Sequence, residues 1–74
     1  MQIRIKCFAT LSDHTPEGGL LQLPAAATVA SALSAVGLEE KDVKLVFVNS
    51  KSAGLDTVLA DGDQLGLFPA VGGG

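Results

Sequence analysis

Apolar and polar residues alternate from the start of the chain: Ile3, Ile5 and Cys7 fall between Gln2, Arg4 and Lys6. A period of two sends successive side chains to opposite faces, so this stretch predicts a β-strand with one buried face. Phe8 falls on the polar side, either tucked under the next segment or exposed to a partner. Ser12-Asp13-His14-Thr15-Pro16 and Gly18-Gly19 are turn chemistry, and residues 9–19 predict a loop with His14 solvated. Leu20 to Leu23 predict a short strand, stopped by Pro24, that pairs with the first as a loose hairpin.

The pattern then changes period. Val29, Leu33 and Val36 recur at helical spacing with Ala32 beside them, while Ser31 and Ser34 mark the wetter side. Thr28 is a good N-cap, and Gly37 suits the left-handed position that ends a helix, letting Leu38 fold back onto Leu33. A helix from Thr28 to about Val36 follows. It is too short to hold by itself and needs a sheet beneath it. Glu39-Glu40-Lys41-Asp42 reads as a solvated connector. Leu45-Val46-Phe47-Val48 has no alternation, which predicts a strand with little solvent on either face. Residues 49–54 turn the chain, Leu55 to Leu59 predict a short edge strand with Leu59 in the core, and Asp61-Gly62-Asp63 is a tight turn. The last strand is Gln64 to Pro69, with Leu65 and Leu67 on one side and Gln64, Gly66 and Phe68 on the other. Pro69 has no N–H for the ladder, so regular pairing should end there.

Two strands, a helix, and a return to the sheet make a two-layer α+β domain. The compact solution sets the first and last strands side by side and parallel, linked by the crossover. That is the β-grasp, or ubiquitin-like, fold: a mixed sheet of four to five strands packed on one main helix. The expected division is a domain over residues 1–69 and a flexible Gly-Gly tail over 70–74. In this arrangement the last strand is held on both edges, and the tail leaves a rigid platform.

Composition narrows the function. The 74 residues are 47% hydrophobic, enough for one core. The net charge is −3 and the five Lys and Arg are scattered along the chain, which argues against nucleic acid as a partner. Cys7 and His14 are each the only one of their type, so neither a disulfide nor a Cys/His metal site is available. Cys7 reads as a structural thiol on the buried face. No apolar run approaches the roughly 20 residues that cross a bilayer, and the opening lacks signal-peptide character. A cytoplasmic location and no membrane partner are the expectation. No side-chain set has catalytic spacing; what remains is the ending Phe68-Pro69-Ala70-Val71-Gly72-Gly73-Gly74, which is either a frayed end or a tail whose working group is the Gly74 carboxylate.

Phe8-Ala9-Thr10-Leu11, Thr28-Val29, Val48-Asn49, Asp61-Gly62-Asp63 and, above all, Phe68-Pro69-x-Val71-x-Gly73-Gly74 resemble the prokaryotic sulfur carriers. The closest pattern is that of the small subunit of molybdopterin synthase (MoaD). Ala70 stands where such tails usually carry a second proline, and Val-Gly-Gly-Gly is also common in the thiamine-pathway carrier ThiS. The resemblance implies a carrier that is not itself an enzyme and acts with a larger synthase subunit. A ubiquitin-activating-like enzyme would use ATP to adenylate Gly74, and a sulfur donor protein would convert it to a thiocarboxylate. The carrier itself would bind no cofactor. Val71, Gly72 and Gly73 would enter the partners' active sites, because glycines pass a narrow channel. Phe8, Val46, Gly66, Phe68 and Pro69 are the candidate docking surface. Molybdenum or tungsten cofactor synthesis ranks ahead of thiamine-thiazole synthesis. A lysine-conjugated protein modifier and a non-covalent interaction module are the other readings.

Overall fold

A computed structural model describes residues 1–69; the expected tail, with Val71, Gly72, Gly73 and Gly74, lies outside the described residues. Five strands, β1 (Gln2–Cys7), β2 (Leu20–Gln22), β3 (Val43–Val48), β4 (Lys51–Ser52) and β5 (Gln64–Pro69), form one sheet in the order β2-β1-β5-β3-β4. β1 and β5 are parallel, and the other neighbours are antiparallel. One helix, α1 (Val29–Ala35), supplies the second layer. This is the β-grasp, with β5 in the centre of the sheet.

Local chemistry sets the boundaries. β1 alternates exposed and buried as its sequence does. The Thr28 side chain accepts from Ser31 N, and Ser31 Oγ accepts from Thr28 N, a reciprocal cap that satisfies donors the first turn leaves unpaired. At the other end Gly37 takes φ 79°, and Leu38 N donates to Leu33 O at 2.9 Å, carrying Leu38 into the core. Val29, Ala32 and Leu33 pack against Ile3, Ile5, Leu65 and Leu67.

The segment expected to be a loop is instead two 3-10 helices, Ala9–His14 and Glu17–Gly19. Leu11 drops into the core from the first of them. His14 is only partly exposed, not fully solvated: its Nδ1 lies 2.8 Å from Val36 O, and since a carbonyl only accepts, Nδ1 donates. It thereby serves one of the carbonyls that a helix end leaves open.

β3 departs from the expectation of burial on both faces. Val46 is 8% exposed and Leu45 is 47% exposed. The register explains this: Val46 is opposite Leu67, on the side under α1, while Leu45 and Phe47 are opposite Phe68 and Gly66 on the other side. Residues 55–59 form no strand. Val29 N and Ala30 N donate to Thr57 O and Leu55 O at the helix start, and Thr28 and Val58 make an isolated bridge. Leu59 does reach the core, as expected, and Val58 is left 61% exposed. The edge position belongs to β4, reached through Asn49 (φ 52°) and Ser50 (φ 70°), two left-handed residues in succession, as a tight hairpin turn requires.

Candidate functional site: the outer sheet face and the end of the central strand

β5 is hydrogen-bonded to β1 on one side and β3 on the other, so Phe68 and Pro69 end the most firmly held strand of the sheet. The ladder with β1 continues one step past the strand, Phe8 N donating to Leu67 O at 3.0 Å. Pro69 keeps a register partner, Val43, with an irregularity between Val43 and Leu45.

The foot of β5 is clamped as well. Asn49 Oδ1 accepts from Gln64 N at 2.9 Å, and Asn49 Nδ2 donates to Asp63 Oδ1 at 2.9 Å. Asp63 Oδ2 accepts from Ala60 N at 2.8 Å, while Asp61 Oδ1 accepts from Gln2 N at 2.8 Å. Gly62, at φ 85°, allows the turn that places both carboxylates. Val48-Asn49 and Asp61-Gly62-Asp63 thus fix where the central strand begins.

On the side away from α1, three aromatic rings gather over Gly66. Phe8 and Phe68 stack with centroids 4.2 Å apart and planes 3° from parallel. Phe47 meets Phe68 edge-on, 5.6 Å away at 85°. Lys6 Nζ lies 5.2 Å from the Phe8 ring centroid. A Cβ at Gly66 would touch the Phe8, Phe68 and Phe47 side chains at 3.6–4.0 Å, so the rings already close over the missing side chain. An open groove of about 580 Å³ runs along this face, with Arg4, Lys6, Gly19, Ser50 and Gln64 among its walls. Leu45 (47% exposed) and Leu20 (43%) stand on the same side, opposite Phe68 and Arg4 in register.

Of the expected docking residues, Phe8, Gly66 and Phe68 meet on this face, and Pro69 lies at its end. Val46 does not: it belongs to the core, because its strand neighbour Leu67 does. Phe47 takes the place expected of it, and Leu45 is a second residue the sequence did not assign. A strand apolar on both sides gives no signal of which side faces the helix. Phe8 is neither buried under the following segment nor free; it is half-covered by Phe68.

Cys7 is 3% exposed on the inner face, and burial pushes its thiol pKa up, partly offset by a hydrogen bond with Thr15. Its backbone N–H donates to Thr15 Oγ1 at 3.1 Å. A neutral, enclosed thiol is a poor nucleophile. Among the described residues no His, Cys, Asp and Glu group is placed to hold a metal ion, and no helix is long and apolar enough to cross a membrane. Gly74 and Val71 to Gly73 lie outside the described residues.

The sequence matches the ThiS family over residues 5–74. In structure it is similar to SAMP1 from Haloferax volcanii, with 29% identity, all of both chains covered and a TM-score of 0.75. It is also similar to a protein described as molybdopterin converting factor subunit 1 from Pyrococcus furiosus. There the identity is 25%, the coverage is 96% of this chain and 99% of that one, and the TM-score is 0.74. The HVO 2177 protein of H. volcanii matches with 26% identity, covering 100% of this chain and 87% of the other, at a TM-score of 0.69. No curated protein matches the sequence significantly.

Proposed function

We propose that this chain, which belongs to the ThiS family, is a sulfur carrier whose reactive group is the carboxylate of Gly74. The observation that carries the reading is that the family match runs through Gly73-Gly74 to residue 74. A carboxylate is a poor electrophile. An adenylating enzyme would let its oxygen attack the α-phosphorus of ATP, expelling pyrophosphate and forming an acyl-adenylate. Sulfide would then attack the acyl carbon, and AMP would leave with the C–O electron pair, giving a thiocarboxylate. If the donor is a protein persulfide, a thiol reduces the resulting acyl disulfide to the same product.

The fold supports this role by what it does for the partner. Ordering each residue of a docking tail costs about 1–2 kcal/mol. A rigid platform that binds next to the tail offsets that cost. The Phe8, Gly66 and Phe68 surface, with Phe47 and Leu45, borders Pro69, where the described chain ends. The sulfur would pass to a larger synthase subunit. Likeness to the P. furiosus protein favours molybdopterin synthesis as the destination; thiamine-thiazole synthesis is the alternative that the family name favours.

The second reading is a protein modifier joined to lysines through Gly74, supported by whole-length likeness to structures of SAMP1, small archaeal modifier protein 1. Intact-mass measurement of the protein from its own cells separates the two. Replacement of one terminal oxygen by sulfur supports the carrier, lysine-linked conjugates support the modifier, and absence of both overturns each. Deleting Gly74, or adding one residue after it, abolishes adenylation and leaves thermal melting unchanged.

A further inference from the structure

Of the five aspartates in the chain, Asp61 is the one that a glycine follows. That order has a chemistry of its own. The amide nitrogen of the second residue can attack the aspartate side chain, and a glycine has no Cβ to obstruct the ring that forms. Asp61 and Gly62 are both exposed, and a Cβ at Gly62 would meet nothing within 4 Å, so the ring has room. What restrains the reaction is β1. Gln2 N donates to Asp61 Oδ1 at 2.8 Å, and Gly62 N donates to Gln2 O at 2.8 Å. One residue thus holds both reacting groups, the carboxylate and the amide. Gln2 is free to do so because Met1 and Leu23 exchange both bonds between β1 and β2, which turns the next residue's N–H and C=O the other way.

We propose that Asp61-Gly62 is a self-modification site, converting to isoaspartate when the start of β1 leaves the turn and kept intact while Gln2 holds it. In the reaction Gly62 N bonds to Asp61 Cγ, and a carboxyl oxygen leaves as water with the amide hydrogen and the carboxyl proton. A water molecule then reopens the cyclic imide. Attack at the former side-chain carbonyl restores aspartate. Attack at the main-chain carbonyl breaks its bond to Gly62 N and leaves the chain running through Cβ and Cγ. Water is the one co-reactant. The product lengthens the backbone inside a turn whose ends are tied twice, Asp63 N donating to Ala60 O at 3.0 Å and Ala60 N to Asp63 Oδ2 at 2.8 Å. It also draws the carboxylate away from Gln2 N. The fold therefore opposes both the reaction and its product, and by linkage the product opposes the fold. A chain that has opened at β1 is marked, and the mark hinders its return. No adenylating enzyme is involved, so the proposal stands apart from the reading of Gly74.

The test incubates the purified full chain at neutral pH, folded or in urea, and locates isoaspartate by electron-transfer fragmentation of its peptides. In urea, residue 61 should convert faster than the other four aspartates. In the folded chain it should convert at least about tenfold more slowly than in urea. Gln2→Pro deletes the N–H that holds Asp61 and keeps the carbonyl; once shown to be folded by its melting, it should convert about threefold or more faster than the native fold. A check without any variant follows hydrogen exchange. At urea concentrations below the unfolding transition, conversion should rise in step with exchange of the Gly62 N–H, and not with the slowest amides of the sheet, which report global unfolding. The isoaspartate chain, separated by chromatography, should melt below the aspartate chain. Equal rates in the folded chain and in urea overturn the proposal, as does faster conversion at another aspartate. So do a folded Gln2→Pro chain no faster than the native one, conversion that tracks the slowest amides, and an isoaspartate chain that melts unchanged.

Discussion

On the face of the sheet under α1, Ile3, Ile5, Leu65 and Leu67 are almost wholly enclosed, whereas on the other face Phe8, Phe47 and Phe68 pack against one another and Leu20 and Leu45 stand in solvent. Similar residue types make both surfaces. What differs is the cover: one helix can close one face of a five-stranded sheet, and it does so with Val29, Ala32 and Leu33. The inner face stabilises the domain, and the outer face keeps apolar area available for contact. The rings over Gly66 limit the cost of that exposure by burying part of their surface in each other.

The sharpest way to break the contrast is to truncate equivalent residues on the two faces. Leu67→Ala removes a side chain that is 0% exposed and should cost about 3–4 kcal/mol of stability in urea unfolding. Phe47→Ala, on its half-open face, should cost only about 1–2 kcal/mol while weakening partner binding. Equal losses of stability would show that the outer face is core in disguise. A smaller effect is expected in a double-mutant cycle of Phe8→Ala and Phe68→Ala, where the coupling energy should be about 0.5–1.5 kcal/mol. Zero coupling would mean that the stack is not maintained in solution.

The smallest effect concerns Cys7. Its pKa is raised in the folded state by burial, with the Thr15 hydrogen bond partly opposing. The unfolded thiol ionises from about pH 8.5, so stability from this group is full below that pH and is lost as pH rises towards the folded pKa. Denaturation midpoints measured from pH 7 to 10 should therefore fall more for the native chain than for Cys7→Ala. Parallel curves would show that the thiol is solvated.

Where one principle decided the structure, the sequence was readable. Alternation marked β1, the Thr28 cap and Gly37 bounded α1, and Asp61-Gly62-Asp63 announced its turn. The order of elements was enough for the β-grasp, including the central place of β5. Legibility failed where two elements had to meet before a side chain acquired a role. Leu45-Val46-Phe47-Val48 carries no period, so the facing of Val46 and Phe47 depends on register with β5. Leu11 lies among turn-forming residues, and only a 3-10 helix brings it inward. His14 needed the end of α1 beside it to gain a partner. At Leu55 to Leu59 the backbone turns its hydrogen bonds to the start of the helix, an option the apolar pattern does not reveal. At the candidate site, Phe8, Gly66 and Phe68 were legible as residues on the polar side of their strands, whereas the place of Arg4 and Lys6 beside the rings was not, because it depends on the register of β1 with β5.

The parallel pairing of β1 with β5 also has a consequence for the order of events at birth. Arg4 waits for Gln64, and Cys7 for Leu67. Until β5 is available, β1 has only the short β2 beside it and β3 only the two-residue β4, which leaves the Ile3, Ile5 and Leu33 surfaces without their Leu65 and Leu67 counterparts. Contacts of such long sequence separation close late and comparatively slowly. A nascent chain still lacking its last strand therefore has no finished sheet to offer an enzyme, and the topology itself acts as a checkpoint that ties recognition to completed folding.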